Sequence, residues 1–110
     1  MKIPKKIKIL GHSVKVTCYG DTLEHPDGSE CWGLAHKMTD KISLCTAFTE
    51  VNGDFVELSE MNVAETFLHE IIHHIEYKQG LDLKEHQITA LACGILQVIR
   101  DNKLDFRVAK

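Results

Sequence analysis

Between Ser59 and Gly80 the chain carries an apolar stripe with its own start and stop, and the rest of the molecule has to cover it. Ala64, Phe67, Leu68, Ile71, Ile72 and Ile75 recur at three- and four-residue spacing, the period of one face of an α-helix. Ser59, or Asn62 with Glu65 three residues on, supplies an N-cap and a capping box. Gly80 supplies a C-terminal stop. The spacing predicts a helix over about 59–79. After a short connection at Leu81–Leu83 a second pattern runs from about Lys84 to Asn102, with Ile88, Leu91, Ala92, Ile95, Val98 and Ile99 as its stripe. A connection this short favours an antiparallel helical hairpin, with the start of the second helix near the end of the first.

The first helix bears the pentapeptide His69-Glu70-Ile71-Ile72-His73 nearly opposite the centre of its stripe. Residues four apart stand one above the other on a helix, so both imidazoles can reach one metal ion. Glu70 is rotated by about 100° from His69, beside such an ion, where a base takes a proton from a metal-bound water. A catalytic zinc site needs a third protein ligand and an open position. Glu85, in the first turn of the second helix, is the best placed. His74, His86 and Asp82 are the other candidates: His86 rotates to the opposite side, and His74 reads as a helix-end or surface histidine. Glu85 could instead complete a capping box with Asp82, and the whole pattern could be a helix with solvated histidines and a surface glutamate.

The stretch Glu65 to Tyr77, followed by Gly80 to Ile88 and Leu91 to Leu96, resembles the small phage- and prophage-type HExxH proteins. Those are similar to the ImmA/IrrE-like metallopeptidases and to the minimal gluzincin core. The resemblance covers the last half of the chain well and the first half in outline. It implies a zincin-like domain with one zinc ion held by His69, His73 and Glu85, with Glu70 as general base. The gap from His73 to Glu85 is shorter than in large gluzincins, which bears most on the third ligand. Tyr77, one turn beyond His73, is a candidate oxyanion stabiliser or a packing residue.

The first half reads as β-structure. Lys6–Leu10 and Ser13–Tyr19 alternate around Gly11-His12, as in a hairpin. Cys31–Lys37 and Lys41–Phe48 form a second pair turning near Met38–Asp40, and Asn52-Gly53-Asp54 is a further turn. The predicted fold is α+β: a small, mostly antiparallel sheet of 3–4 strands packed on two helices, in one domain over 1–110. If Lys41–Phe48 is an edge strand beside the metal helix, an extended peptide could add to it; it could equally be a rung of the core sheet. Trp32 reads as core.

Thirteen Lys and Arg against 16 Asp and Glu give a net charge of −3, no electrostatic reason to expect nucleic acid. The Lys-rich start reads as a solvated edge. No stretch has the length of a membrane span, and residues 1–10 lack the apolar core of a signal peptide, so a cytoplasmic protein is expected. Cys18, Cys31, Cys45 and Cys93 contain no Cys-x-x-Cys pair and read as small buried hydrophobes. A structural zinc of Cys31 and Cys45 with His69 and His73 would have irregular ligand spacing. The expected function is a zinc-dependent metallopeptidase acting on a peptide or protein. The rivals are a non-catalytic, zinc-stabilised module docking a protein regulator, and a zinc hydrolase acting on nucleic acid or another amide.

Overall fold

A computed structural model describes residues 2–108. Met1, Ala109 and Lys110, which the single-domain reading also spans, lie outside the described residues. In chain order the elements are β1 (Lys6–Ile9), β2 (His12–Tyr19), β3 (Leu23–Glu24), β4 (Glu30–Cys31), β5 (Gly33–His36), β6 (Lys41–Cys45), β7 (Ala47–Thr49), β8 (Phe55–Glu57), α1 (Glu60–Gln79) and α2 (Glu85–Asn102). The class is α+β, as predicted. The main sheet has the order β1-β2-β6-β5, and two small pairs, β3-β4 and β7-β8, stand beside it.

The sheet is mixed. β1 and β2 form the expected hairpin, but its two-residue turn is Leu10-Gly11, with φ of 48° and 82°. Positive φ at both positions is the turn whose twist suits a tight hairpin. β5 and β6 form the second antiparallel pair. β2 runs parallel to β6, because β3, β4 and β5 intervene as a crossover. β6 is therefore central, and the edge-strand reading of Lys41–Phe48 is overturned. That stretch also divides at Thr46, its second part pairing with β8 as β7. Ile42, Ser43, Leu44 and Cys45 are all buried, the unbroken burial of a strand covered on both faces. The strand that ends the sheet on this side is β5.

Helix α1 starts and stops where the sequence signals lie. Asn62 N–H donates to Ser59 Oγ at 3.1 Å, which selects Ser59 as the cap. At the other end Gly80 takes φ 68°, and Leu81 N–H returns to the Glu76 carbonyl at 2.9 Å, the left-handed closure that glycine permits. The helix is covered on two sides. Phe67 and Ile71 pack on the sheet core of Ile9, Val14, Val16, Ile42 and Leu44. Ile72 joins Ile88 and Ala92 of α2, with Leu68 and Leu83 around them.

Two expectations fail on α1. Ile75 is exposed, and His74 is fully buried in its place. Positions 67, 71, 74 and 78 fall on one helical face, and that face meets the sheet. The His74 ring bonds the Lys41 carbonyl at 2.9 Å, so Nε2 carries the proton and donates. Beside it Lys78 Nζ meets Asp40 Oδ1 at 2.6 Å. These two contacts fasten the last turns of α1 to the bend between β5 and β6. No helix among the described residues is long and apolar enough to cross a membrane.

Candidate metal centre and cleft

The third side of α1 faces a cleft of about 890 Å³. Its walls are α1, the first half of α2, the edge strand β5 and the β3-β4 hairpin. His69 and His73 stand on this side with 16 % and 19 % of their side chains exposed. Their rings meet edge to face, with centroids 4.9 Å apart. The helix period places them there, and the two apolar flanks of α1 prevent it from rotating them to solvent.

Glu85 enters from the first turn of α2. Its Oε1 lies 2.6 Å from His69 Nε2 and its Oε2 3.2 Å from His73 Nε2. The helical hairpin thus brings together the three residues that sequence reasoning grouped. The capping role offered for Glu85 is taken by Gln87 instead, whose side-chain oxygen accepts from Lys84 N–H at 2.8 Å. One turn after Glu85, Thr89 Oγ1 lies 3.5 Å from His69 Nδ1. A contact at this place would fix which nitrogen of His69 faces inward if the ring held a metal ion. Its signal in the sequence was the four-residue spacing from Glu85.

Glu70 is 6 % exposed, and the ligand atoms of His69, Glu70 and His73 all lie within 4.8 Å of one another. Burial pushes its carboxyl up to about 8, with the nearby Glu85 charge adding to the rise. Burial also lowers His73, opposed by Glu85 and assisted by His69. Two imidazoles and two carboxylates therefore converge in a partly dry cleft, with Lys37 the one lysine or arginine among the residues lining it. Nitrogen and oxygen donors of this kind suit a divalent cation, and the residues fit such an ion. Either carboxylate could complete the donor set. Glu85 is the better ligand because it already reaches both imidazoles, whereas Glu70 lies against β5.

That contact depends on a glycine. A β-carbon at position 33 would stand 2.5 Å from Thr66 Cγ2 and 2.8 Å from Glu70 Oε2. Only a residue without one lets the edge strand come this close to α1. The register pairs Leu34 with Ser43 and His36 with Lys41, and the Trp32 carbonyl accepts from Cys45 N–H at 2.8 Å. Alternation along an antiparallel pair then turns the backbone groups of Gly33 and Ala35 away from β6, along the free edge.

Other expected site residues lie elsewhere. Tyr77 is not among the residues lining the cleft; it is 48 % exposed, with Lys37 Nζ 5.6 Å from its ring centroid. His86 is exposed on α2. Trp32, read as core, is 40 % exposed and lines the cleft. Of the cysteines only Cys45 is buried, while Cys18 and Cys93 are exposed.

The chain matches no family model, no curated protein and no solved structure.

Proposed function

We propose that this chain is a zinc-dependent peptide hydrolase of the zincin type. His69, His73 and Glu85 would hold the ion, and Glu70 is the general base. The observation that carries this reading is the arrival of Glu85 from α2 beneath both imidazoles of α1, with Glu70 one residue aside and against the free sheet edge. A bound zinc supplies Lewis acidity to the scissile carbonyl and to a water.

The chain's own residues supply the rest. Glu70 takes a proton from the attacking water and returns it to the leaving amine. Its burial keeps it protonated near neutral pH without a neighbouring positive charge, so its function as a base depends on the site being charged. The outward-facing N–H and C=O of Ala35 and the Gly33 carbonyl hold an extended peptide as an added strand, the Gly33 N–H being turned to the Cys31 sulfur. Thr89 orients the His69 ring. Tyr77 would have to leave Lys37 to reach the reacting atoms. The motif residues and the helical hairpin support the resemblance to ImmA/IrrE-like metallopeptidases on which the class of reaction rests.

The test is hydrolysis of a mixed peptide library by zinc-loaded protein and by the Glu70→Gln variant. Cleavage that falls about 10²–10⁴-fold in the variant, with the metal still bound, is the expected result. Equal cleavage by both would overturn Glu70 as base. Metal bound without cleavage of any peptide would return the chain to the binding-module reading.

A further inference from the structure

α1 packs on the sheet core, and α2 packs on α1 through Ile88 and Ala92. Those two are the residues of α2 that are buried. Yet from Gln87 to Ile99 this outer helix holds no charged residue. A surface helix ordinarily carries charged and polar residues on the face turned from the core. α2 is covered on one side and lacks the charge that would suit water on the others.

Leu91, Gly94, Ile95 and Val98 are spaced as one helical face. That face lies about 70° round α2 from Ile88 and Ala92, and nearly opposite Thr89 and Cys93, which line the cleft. Leu91, Ile95 and Val98 are 44 %, 41 % and 52 % exposed. Ile75 is also exposed, on the side of α1 away from His69 and His73, and so borders the same back face of the hairpin. At the middle of the strip a β-carbon on Gly94 would meet nothing within 4 Å. Nothing within this chain therefore calls for glycine, which costs about 1 kcal/mol against alanine inside a helix. A second backbone drawn up against α2 would call for it.

We infer that this face is an interface with a second copy of the chain, the two α2 helices lying antiparallel about a two-fold axis near Gly94. Such an axis sets Leu91 of each copy against Val98 of the other. On this side the uncharged stretch is bounded by Lys84 before it and Asp101 after it, while Glu85 and Arg100 turn to the other side of the helix. The antiparallel arrangement brings the basic end of one strip to the acidic end of the other, where a parallel one would oppose like charges. The size is also suitable. α2 has 18 residues and is about 27 Å long; with α1 beside it, the back of the hairpin is about 20 Å wide and roughly 500 Å² in projection. The accessible area of a ridged surface exceeds its projection, which brings this face toward the ~800 Å² per partner of a standard interface. Both clefts face outward in such a pair, so the inference is independent of the proposed hydrolysis.

Sedimentation equilibrium of the full chain at micromolar concentration, with zinc and with chelator, tests this. The wild type is expected at twice its 12.4 kDa chain mass in both conditions. Leu91→Glu/Val98→Glu places like charges opposite one another across the axis. It should weaken dimerisation at least about 100-fold, the scale of taking two such side chains per copy out of an interface. Leu91→Lys/Val98→Glu places opposite charges there and should dimerise more tightly than the first variant. Both positions are exposed, so the monomer should stay folded, which circular dichroism checks. A monomeric wild type overturns the inference, as does a dimer that forms only with zinc or one that persists undiminished in the first variant. Equal weakening by the two charge patterns overturns the antiparallel pairing.

Discussion

The carboxylate of Glu85 and the imidazole of His69 meet at 2.6 Å, a separation at which an oxygen and a bare nitrogen would repel, so His69 Nε2 carries a proton there. A metal ion competes for the place of that proton. Metal ligands bind in their deprotonated forms, so zinc binding is expected to strengthen as pH rises. Elemental analysis of purified protein is expected to find one zinc per chain in the wild type and none in His69→Ala. Glu85→Ala should bind at least about 10-fold more weakly if Glu85 is the third ligand, as proposed. Zinc retained at full affinity in Glu85→Ala would pass the third position to Glu70.

Glu70 gives the metal-free protein an alkaline weakness. Its carboxyl rises from 4.5 to about 8 on folding, so between those values the folded state holds a proton that the unfolded state has lost. Its contribution is therefore complete below pH 4.5 and is lost as pH rises through 8. Urea unfolding in the presence of chelator should show Glu70→Gln matching wild type near pH 4 and exceeding it at pH 9. The excess is a few kcal/mol, roughly 3–5 as an upper bound from the shift. Identical pH profiles for the two proteins would refute this.

His74 acts in the opposite direction. Burial holds its pKa below 6.5, so the unfolded chain takes up a proton first as pH falls. The stability it contributes is present in full above pH 6.5 and declines as pH drops through the folded value. His74→Gln should flatten this part of the acid limb in thermal or urea unfolding. His74→Ala, which leaves a cavity and an unpaired Lys41 carbonyl, should cost about 2–4 kcal/mol with zinc stoichiometry unchanged. An unaltered acid limb in His74→Gln would show that the ring is not buried as described.

Gly33 separates the cleft wall from the donor set. Gly33→Ala drives a methyl group into Thr66 and Glu70, and overpacking of this kind costs about 1–3 kcal/mol. Peptide hydrolysis should fall at least about tenfold through displacement of Glu70, with zinc still bound. Gly20→Ala is the control: a β-carbon there meets nothing within 4 Å, and the change should stay within about 0.5 kcal/mol. Thermal melts and activity on the same preparations check both.

The helical half of the molecule was legible because its signals are local. Ser59, Gly80 and the apolar spacing delimit α1 within the sequence itself, and the short connection brings Glu85 back to His69. The β-half was less legible because pairing partners are distant. Nothing near Lys41 states that β2 will lie beside it in parallel, although the uninterrupted Ile42-Ser43-Leu44-Cys45 core was a hint of burial on both faces. His74 was misread because a polar residue was assigned to the surface before its position relative to Phe67 and Ile71 was weighed. Trp32 was assigned to the core by residue type, while its neighbour Gly33, the residue that opens the cleft, carries no side chain from which chemistry could be read.

The crossover between β2 and β6 also sets an order of events. His69 and Glu85 are 16 residues apart along the chain, within one helical hairpin. Gly33 reaches Glu70 over 37 residues, by subtraction of their numbers, and only after β6 has inserted beside β2. Closing short loops is quicker than establishing distant strand pairs. The donor set should therefore assemble ahead of the wall that would hold the peptide. Stopped-flow refolding should show histidine-dependent metal capture preceding the Trp32 emission change. The reverse order would mean that the sheet templates the hairpin.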